Sequence, residues 1–134
     1  MIERRSVMLG PAALMLAPMA RPARAMVDYT PGLVDARLAA GETLLVDFWA
    51  SWCSTCRAQT RVIEELRAEN PAYDAALGFI KVDWDVHGTG DLARRLNIPR
   101  RSTLVMLRGE AELGRIVAGT RTDDIRALLD LGLG

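Results

Sequence analysis

"TLLVDFWASWCSTCRAQ", residues 43–59, joins a nearly continuous apolar run to a helical pattern, and at the join stand the only two cysteines of the chain, Cys53 and Cys56. Residues 43–49 read as a strand covered on both faces, since apolar side chains leave no face for water. The anomaly is the charge in its middle, Asp47. From Cys53 to about Asn70 the periodicity turns helical. Val62, Ile63 and Leu66 form the inner face, and Arg57, Arg61, Glu64, Arg67 and Glu69 face water. Glu64 and Arg67 have the i,i+3 spacing that supports a helix, and Pro71 lies just past its end.

Working outward, Thr30-Pro31-Gly32 opens a short helix over 33–40 that Gly41 stops. "GFIKVDW" (78–84) is a second strand, and "TGDLARRLNI" (89–98) a short helix begun near Thr89 or Asp91. Between them "DVHGTGD" reads as a loop, and His87, the only histidine, as a solvated loop residue. "STLVMLR" (102–108) and "ELGRIVAG" (112–119) flank a turn around Gly109 and read as a hairpin. "TRTDDIRALLDLGL" closes the chain as a helix with Thr122 as N-cap, Asp123 and Asp124 in its first turn, and Ile125, Leu128 and Leu129 facing inward. The order α-β-α-β-α-β-β-α implies an α/β fold: a mixed central sheet flanked by helices on both faces.

The chain has 134 residues, half of them hydrophobic, with 17 basic and 17 acidic side chains. That is one domain's worth of sequence with no basic excess, so a nucleic-acid partner is not expected. Residues 1–25 read as a signal peptide. They carry Arg4 and Arg5, an apolar run from Val7 to Ala20 broken by Pro11 and Pro18, and a closing Ala23-Arg24-Ala25 of small-x-small type. The run is shorter than the roughly 20 apolar residues that span a bilayer. "RRSVML" also resembles a twin-arginine signal. The expected mature domain, 26–134, holds 13 basic and 16 acidic residues and a net charge of −3. It is expected to be periplasmic or otherwise exported, and monomeric.

A lone C-x-x-C is compatible with several chemistries. A structural zinc wants four Cys or His ligands, and the chain offers two cysteines and one distant histidine. A static staple closes too short a loop to stabilise much. An iron–sulfur cluster shared by two chains would need both cysteines from each. Position favours a redox couple. Cys53 stands exposed where the strand hands over to the helix, and free N–H groups with the positive end of the helix dipole lower a thiol pKa there. Cys56, one turn inside and better covered, is placed to resolve a mixed disulfide.

"LLVDFWASWCSTCRAQ" resembles the active-site segment of the thioredoxin superfamily, and the likeness runs from about Thr30 to Leu131. "DVHGTGDLARRLNI" is also similar to the corresponding part of the C-terminal domain of periplasmic thiol:disulfide interchange proteins. The resemblance implies a nucleophile at Cys53, a resolving thiol at Cys56, and in Asp47 a buried acid that exchanges a proton with Cys56. It places Trp52 over the dithiol, Trp49 behind it, and Lys81, the only lysine, beside Asp47 on the neighbouring strand. Desolvation of an unpaired carboxylate should raise the Asp47 pKa, as a general base for Cys56 requires. A structural Asp47–Lys81 ion pair is the other reading of those two residues.

The sequence departs from the family in two places. Ser54 and Thr55 separate the cysteines without the proline of many reducing members or the histidine of oxidising ones. The family's cis-proline position falls on Ser102, with Pro99 three residues upstream. A cis bond before a non-proline residue costs about 2.5–4 kcal/mol, so a trans Arg101–Ser102 bond is expected. Arg100 and Arg101 then come near the site, either as solvated loop residues or as a positive rim favouring acidic partners. Trp52, Arg101 and Ser102 are the expected substrate-binding residues.

Together these imply an exported protein-disulfide oxidoreductase with no metal and no cofactor beyond the Cys53–Cys56 couple. The expected partners are exported thiol or disulfide proteins, with a possible membrane electron donor. A reducing role in cytochrome c maturation or thiol repair is preferred. A thioredoxin-fold binding module with little turnover, having lost the cis-proline at Ser102, is the rival.

Overall fold

A computed structural model describes residues 25–134; the expected leader, but for Ala25, lies outside the described residues. Strand β2 (Thr43–Trp49) is the spine, buried from Thr43 to Phe48. It pairs in parallel with β3 (Leu77–Asp83) on one side and antiparallel with β4 (Thr103–Arg108) on the other. A two-residue β1 (Val27–Asp28) runs parallel to β3 at one edge, and β5 (Ala111–Val117) runs antiparallel to β4 at the other. The mixed sheet therefore has the order β1-β3-β2-β4-β5. Gly109, at φ +58°, takes the left-handed turn between β4 and β5 without a Cβ penalty.

Alternation along β2 divides the core in two. Leu44, Val46 and Phe48 join Ile80, Val82, Leu92 and Val105 on one face. That face is covered by α1 (Leu33–Ala39), α4 (Trp84–His87) and α5 (Asp91–Arg95). Leu45 joins Ile63, Leu66, Leu104, Met106 and Ile125 on the other. There α2 (Ser54–Glu69), α3 (Ala72–Ala76) and α6 (Thr122–Leu131) pack. By the same alternation Asp47 points with Leu45, toward α2.

The expected α/β fold is present, with local differences. Strand β1 and helix α3 carry no sequence signal, being two and five residues long. "DVHGTGD" is not all loop, because Asp83 accepts from the Asp85 N–H at 2.9 Å and starts α4. His87 is half-buried there, edge-on to Tyr29 with ring centroids 4.9 Å apart. Helix α5 is shorter than expected: Asn97 turns left-handed at φ 53° and ends it. Arg121, not Thr122, occupies the N-cap of α6.

The largest departure on α2 is Arg67. Its guanidinium faces inward, lies 4.1 Å above the Phe79 ring, and donates to Asp74 of α3 at 2.6 Å rather than pairing with Glu64. Only 4% of the Arg67 side chain is exposed, so its charge depends on that carboxylate. Asp74→Ala should cost on the order of 1–3 kcal/mol in urea unfolding, because it strands a buried cation. Arg67→Met, which removes the cation and keeps the bulk, should cost less.

Candidate active site

The apolar strand ends at Trp49, and the chain turns through Ala50-Ser51-Trp52 to reach Cys53, whose N–H donates to the Ala50 carbonyl at 3.1 Å. Cys53 is the N-cap of α2, and its sulfur accepts from the Cys56 N–H at 3.2 Å. The Cys53 sulfur thus takes the place of the usual capping oxygen and satisfies a helix-start donor. Cys56 sits one turn in. Both thiols are unlinked.

Contrary to expectation, Cys53 is not exposed: it retains 3% of its surface and Cys56 none. The two sulfurs lie in a small cluster with Ala50, against which Trp49 and Trp84 pack. Ser102, fully buried, closes the other side. Its Oγ is 3.1 Å from Cys53 Sγ and 3.0 Å from Cys56 Sγ. All peptide bonds among the described residues are trans, Arg101–Ser102 included, and Ser102 turns the chain at φ +62°.

That turn is held from three directions. The Ser102 N–H donates to the Phe48 carbonyl at 2.7 Å, and its carbonyl accepts from the Ala118 N–H at 2.8 Å and from Gln59 Nε2 at 3.0 Å. Gln59, fully buried, also donates to the Gly119 carbonyl at 2.9 Å. Sequence reasoning missed Gln59, yet the signal existed. An amide at position 59 falls between Cys56 and Ile63 on the inner face of α2.

The rim is made by Arg101 and Trp52. The Arg101 guanidinium lies 4.3 Å above the indole ring, and Trp52 Nε1 donates to the Asp85 carboxylate at 3.1 Å. Trp52 stands 55% exposed, a rim post rather than a lid, and Asp85 is a second residue the sequence did not flag. Arg100 and Arg101 are half-buried, so neither is a freely solvated loop arginine.

These contacts set the acidity of the sulfurs. Burial pushes the Cys53 thiol up, but hydrogen bonds from the Cys56 side chain, Ser102, the Cys56 backbone N–H and Arg101 outweigh it and bring it down to about 7. Burial pushes the Cys56 thiol up, and its hydrogen bond to Cys53 adds to the rise. The charge therefore settles on Cys53. Asp47 is fully buried, and neither carboxyl oxygen has a hydrogen-bond partner. Desolvation raises it to about 7; Lys81 pulls it back in part, and Cys53 pushes it further up. Lys81 faces Asp47 across the β2–β3 register, but the carboxylate it meets is Asp28, at 4.0 Å. Its Nζ lies 4.4 Å over the Trp49 ring. The structural Asp47–Lys81 pair is thus replaced by a longer-range attraction. Among the described residues no group of three or more His, Cys, Asp or Glu side chains is arranged to hold a metal ion.

An acidified cysteine at a helix start, a second cysteine one turn on and a buried acid on the strand before them make a dithiol suited to disulfide exchange. The thioredoxin family model matches residues 27–130, and the chain belongs to that family. The thioredoxin of Mycolicibacterium smegmatis is 34% identical over 80 residues, 60% of this chain and 69% of that protein. The thioredoxin of Staphylococcus epidermidis is 27% identical over 106 residues, 79% of this chain and 96% of that protein. Among solved structures, Trxlp from Edwardsiella tarda EIB202 superposes with a TM-score of 0.69 at 27% identity, over 78% of this chain and 98% of that one. A Malassezia sympodialis thioredoxin gives 0.64 at 25%, over 83% and 94%. The chain is a thiol–disulfide oxidoreductase with the Cys53–Cys56 pair.

Asp47 makes stability depend on pH. The folded protein keeps this carboxyl protonated up to about pH 7, whereas the unfolded chain releases the proton near pH 4. The folded state binds more protons in that window, so stability falls as pH rises from about 4 to about 7. Asp47→Asn should therefore raise stability by on the order of 2–4 kcal/mol at pH 8 and by little at pH 4. Denaturant titrations at the two pH values check this, and a gain equal at both would count against a charged Asp47.

Proposed function

We propose that this chain is an exported oxidoreductase that reduces disulfides in other exported proteins. The observation that carries the reading is the Cys53 sulfur, held by hydrogen bonds at the start of α2 and acidified to about 7. Such a thiol is substantially ionised at neutral pH without being a poor nucleophile. It also bears on direction. Strongly oxidising C-x-x-C proteins stabilise their nucleophilic thiolate by several units more, which favours the reduced form. A value about 7 fits a donor of electrons.

In this reading the Cys53 thiolate attacks a substrate disulfide, forms a mixed disulfide and expels one substrate thiolate. Cys56 gives its proton to Asp47, attacks Cys53 Sγ and expels the second. The dithiol supplies both electrons. Asp47, at about 7, can take that proton and return it. Trp52 and Arg101 form the rim met by the incoming chain, the fully buried Ser102 lies behind it against both sulfurs, and the guanidinium favours acidic partners. Export rests on the leader pattern of residues 1–25, and the kinship to periplasmic interchange proteins rests on "DVHGTGDLARRLNI". Partners of this kind include apocytochromes awaiting haem and oxidised periplasmic thiol proteins, with a membrane donor to recharge the monomeric carrier.

One observation favours the rival, a binding module with little turnover. The Ser102 N–H and carbonyl are both engaged inside the protein and leave that residue's backbone nothing to offer a substrate strand. Insulin reduction with dithiothreitol separates the two readings, since the module gives no acceleration.

Two expected outcomes test the proposal. Cys56→Ser should accumulate mixed disulfides through Cys53, and Cys53→Ser should not; equal trapping by both overturns the assignment of roles. The full chain expressed with its leader should be recovered outside the cytoplasm with a mature N-terminus at Met26. Recovery of the uncleaved chain in the cytoplasm overturns export and leaves the chemistry standing.

A further inference from the structure

Disulfide exchange moves negative charge from one cysteine to the other, and one side chain touches both. We propose that the Ser102 hydroxyl is a catalytic rotor that donates its hydrogen bond first to Cys53 and then to Cys56, following the charge. The proposal rests on the exchange reading above.

The geometry is specific. Ser102 Oγ lies 3.1 Å from one sulfur and 3.0 Å from the other, with the residue fully buried. A hydroxyl has one proton, so it can donate to only one sulfur at a time. The backbone beneath it is pinned by Phe48, Ala118 and Gln59, which leaves the O–H torsion as the free coordinate. The charged groups around the pair are Arg101 at the rim beside Cys53, Asp47 on β2 and Lys81 on β3.

In the reduced protein the Ser102 O–H donates to the Cys53 thiolate, which the Cys56 S–H also faces. Cys53 attacks the substrate; the Cys53–substrate S–S bond forms, the substrate's own S–S bond breaks, and the leaving thiolate takes its proton from solvent. Cys53 is now neutral and releases the hydroxyl. As the Cys56 proton passes to Asp47, Ser102 turns its O–H to the new Cys56 thiolate. That thiolate attacks Cys53 Sγ, the internal disulfide forms and the second substrate thiolate departs. Two electrons have passed from the dithiol to the substrate, and Ser102 ends with the proton it began with.

Ser102→Gly removes the hydroxyl and suits φ +62°, and Ser102→Ala removes it with the side-chain volume nearly kept. If alanine is too strained at that φ to fold, glycine carries the test. Thiolate absorbance against pH reads the first position of the rotor. The decay of the mixed disulfide formed with oxidised glutathione, followed by rapid mixing, reads the second. A hydrogen bond to a charged group contributes enough that the Cys53 pKa should rise by about one unit and the decay should slow about tenfold. A serine that only shapes the turn would alter stability and leave both readings where they were. An unmoved Cys53 pKa, or decay at the parent rate, overturns the proposal. Failure of the unaltered protein to resolve any mixed disulfide would instead overturn the exchange reading, and the thiolate titration would still report on Ser102.

Discussion

The hydrogen bond from the Cys56 N–H to the Cys53 sulfur is the contact through which the fold reaches the chemistry. A helix must begin with donors that its own backbone cannot satisfy, and here a cysteine sulfur meets one of them. Capping orients the sulfur, orientation exposes it to the field of the first turn, and the field favours the thiolate. None of this works unless β2 delivers the chain to that point. Its burial from Thr43 to Phe48, between β3 and β4, fixes where Trp49 ends and α2 begins.

The strand that places the dithiol also carries Asp47, a carboxylate without a hydrogen-bond partner at the centre of the sheet. Replacing it with an apolar residue would make a more stable protein, so its presence sets stability against keeping an ionisable group within the field of Cys53. Lys81 moderates the conflict without removing it. A direct ion pair would hold the carboxylate permanently ionised. Seated instead near Asp28 and over Trp49, the ammonium leaves the acid free to titrate about neutrality.

How much of this the sequence disclosed follows from what periodicity can carry. The β2–α2 junction, the hairpin and the closing helix were legible because elements of six to sixteen residues are long enough for their apolar pattern to show a period. Strand β1 and helices α3 and α4 are too short to show a period, and their placement comes from caps and tertiary contact. Arg67 was misplaced for a related reason. An arginine beside the apolar stripe reads as solvated until a carboxylate from α3, itself unreadable, comes to meet it. At the site, the cysteines, Asp47 and the odd serine at 102 were visible as residues. What the sequence hid was distance: that Cys53 is covered, that Ser102 reaches both sulfurs, and that Gln59 and Asp85 hold the surrounding loops.

The turn at Ser102 also bears on how such a site can change over time. Its N–H is spent on the Phe48 carbonyl and its φ is +62°. Proline has no N–H and holds φ near −65°. A single codon change that installs the residue usual in this family would therefore break the bond to β2 and clash with the turn's handedness. Further changes at Gln59, Ala118 or the arginine pair would have to come with it. The serine is thus entrenched: the contacts around it make proline a costly destination, and geometry alone holds the position where it is.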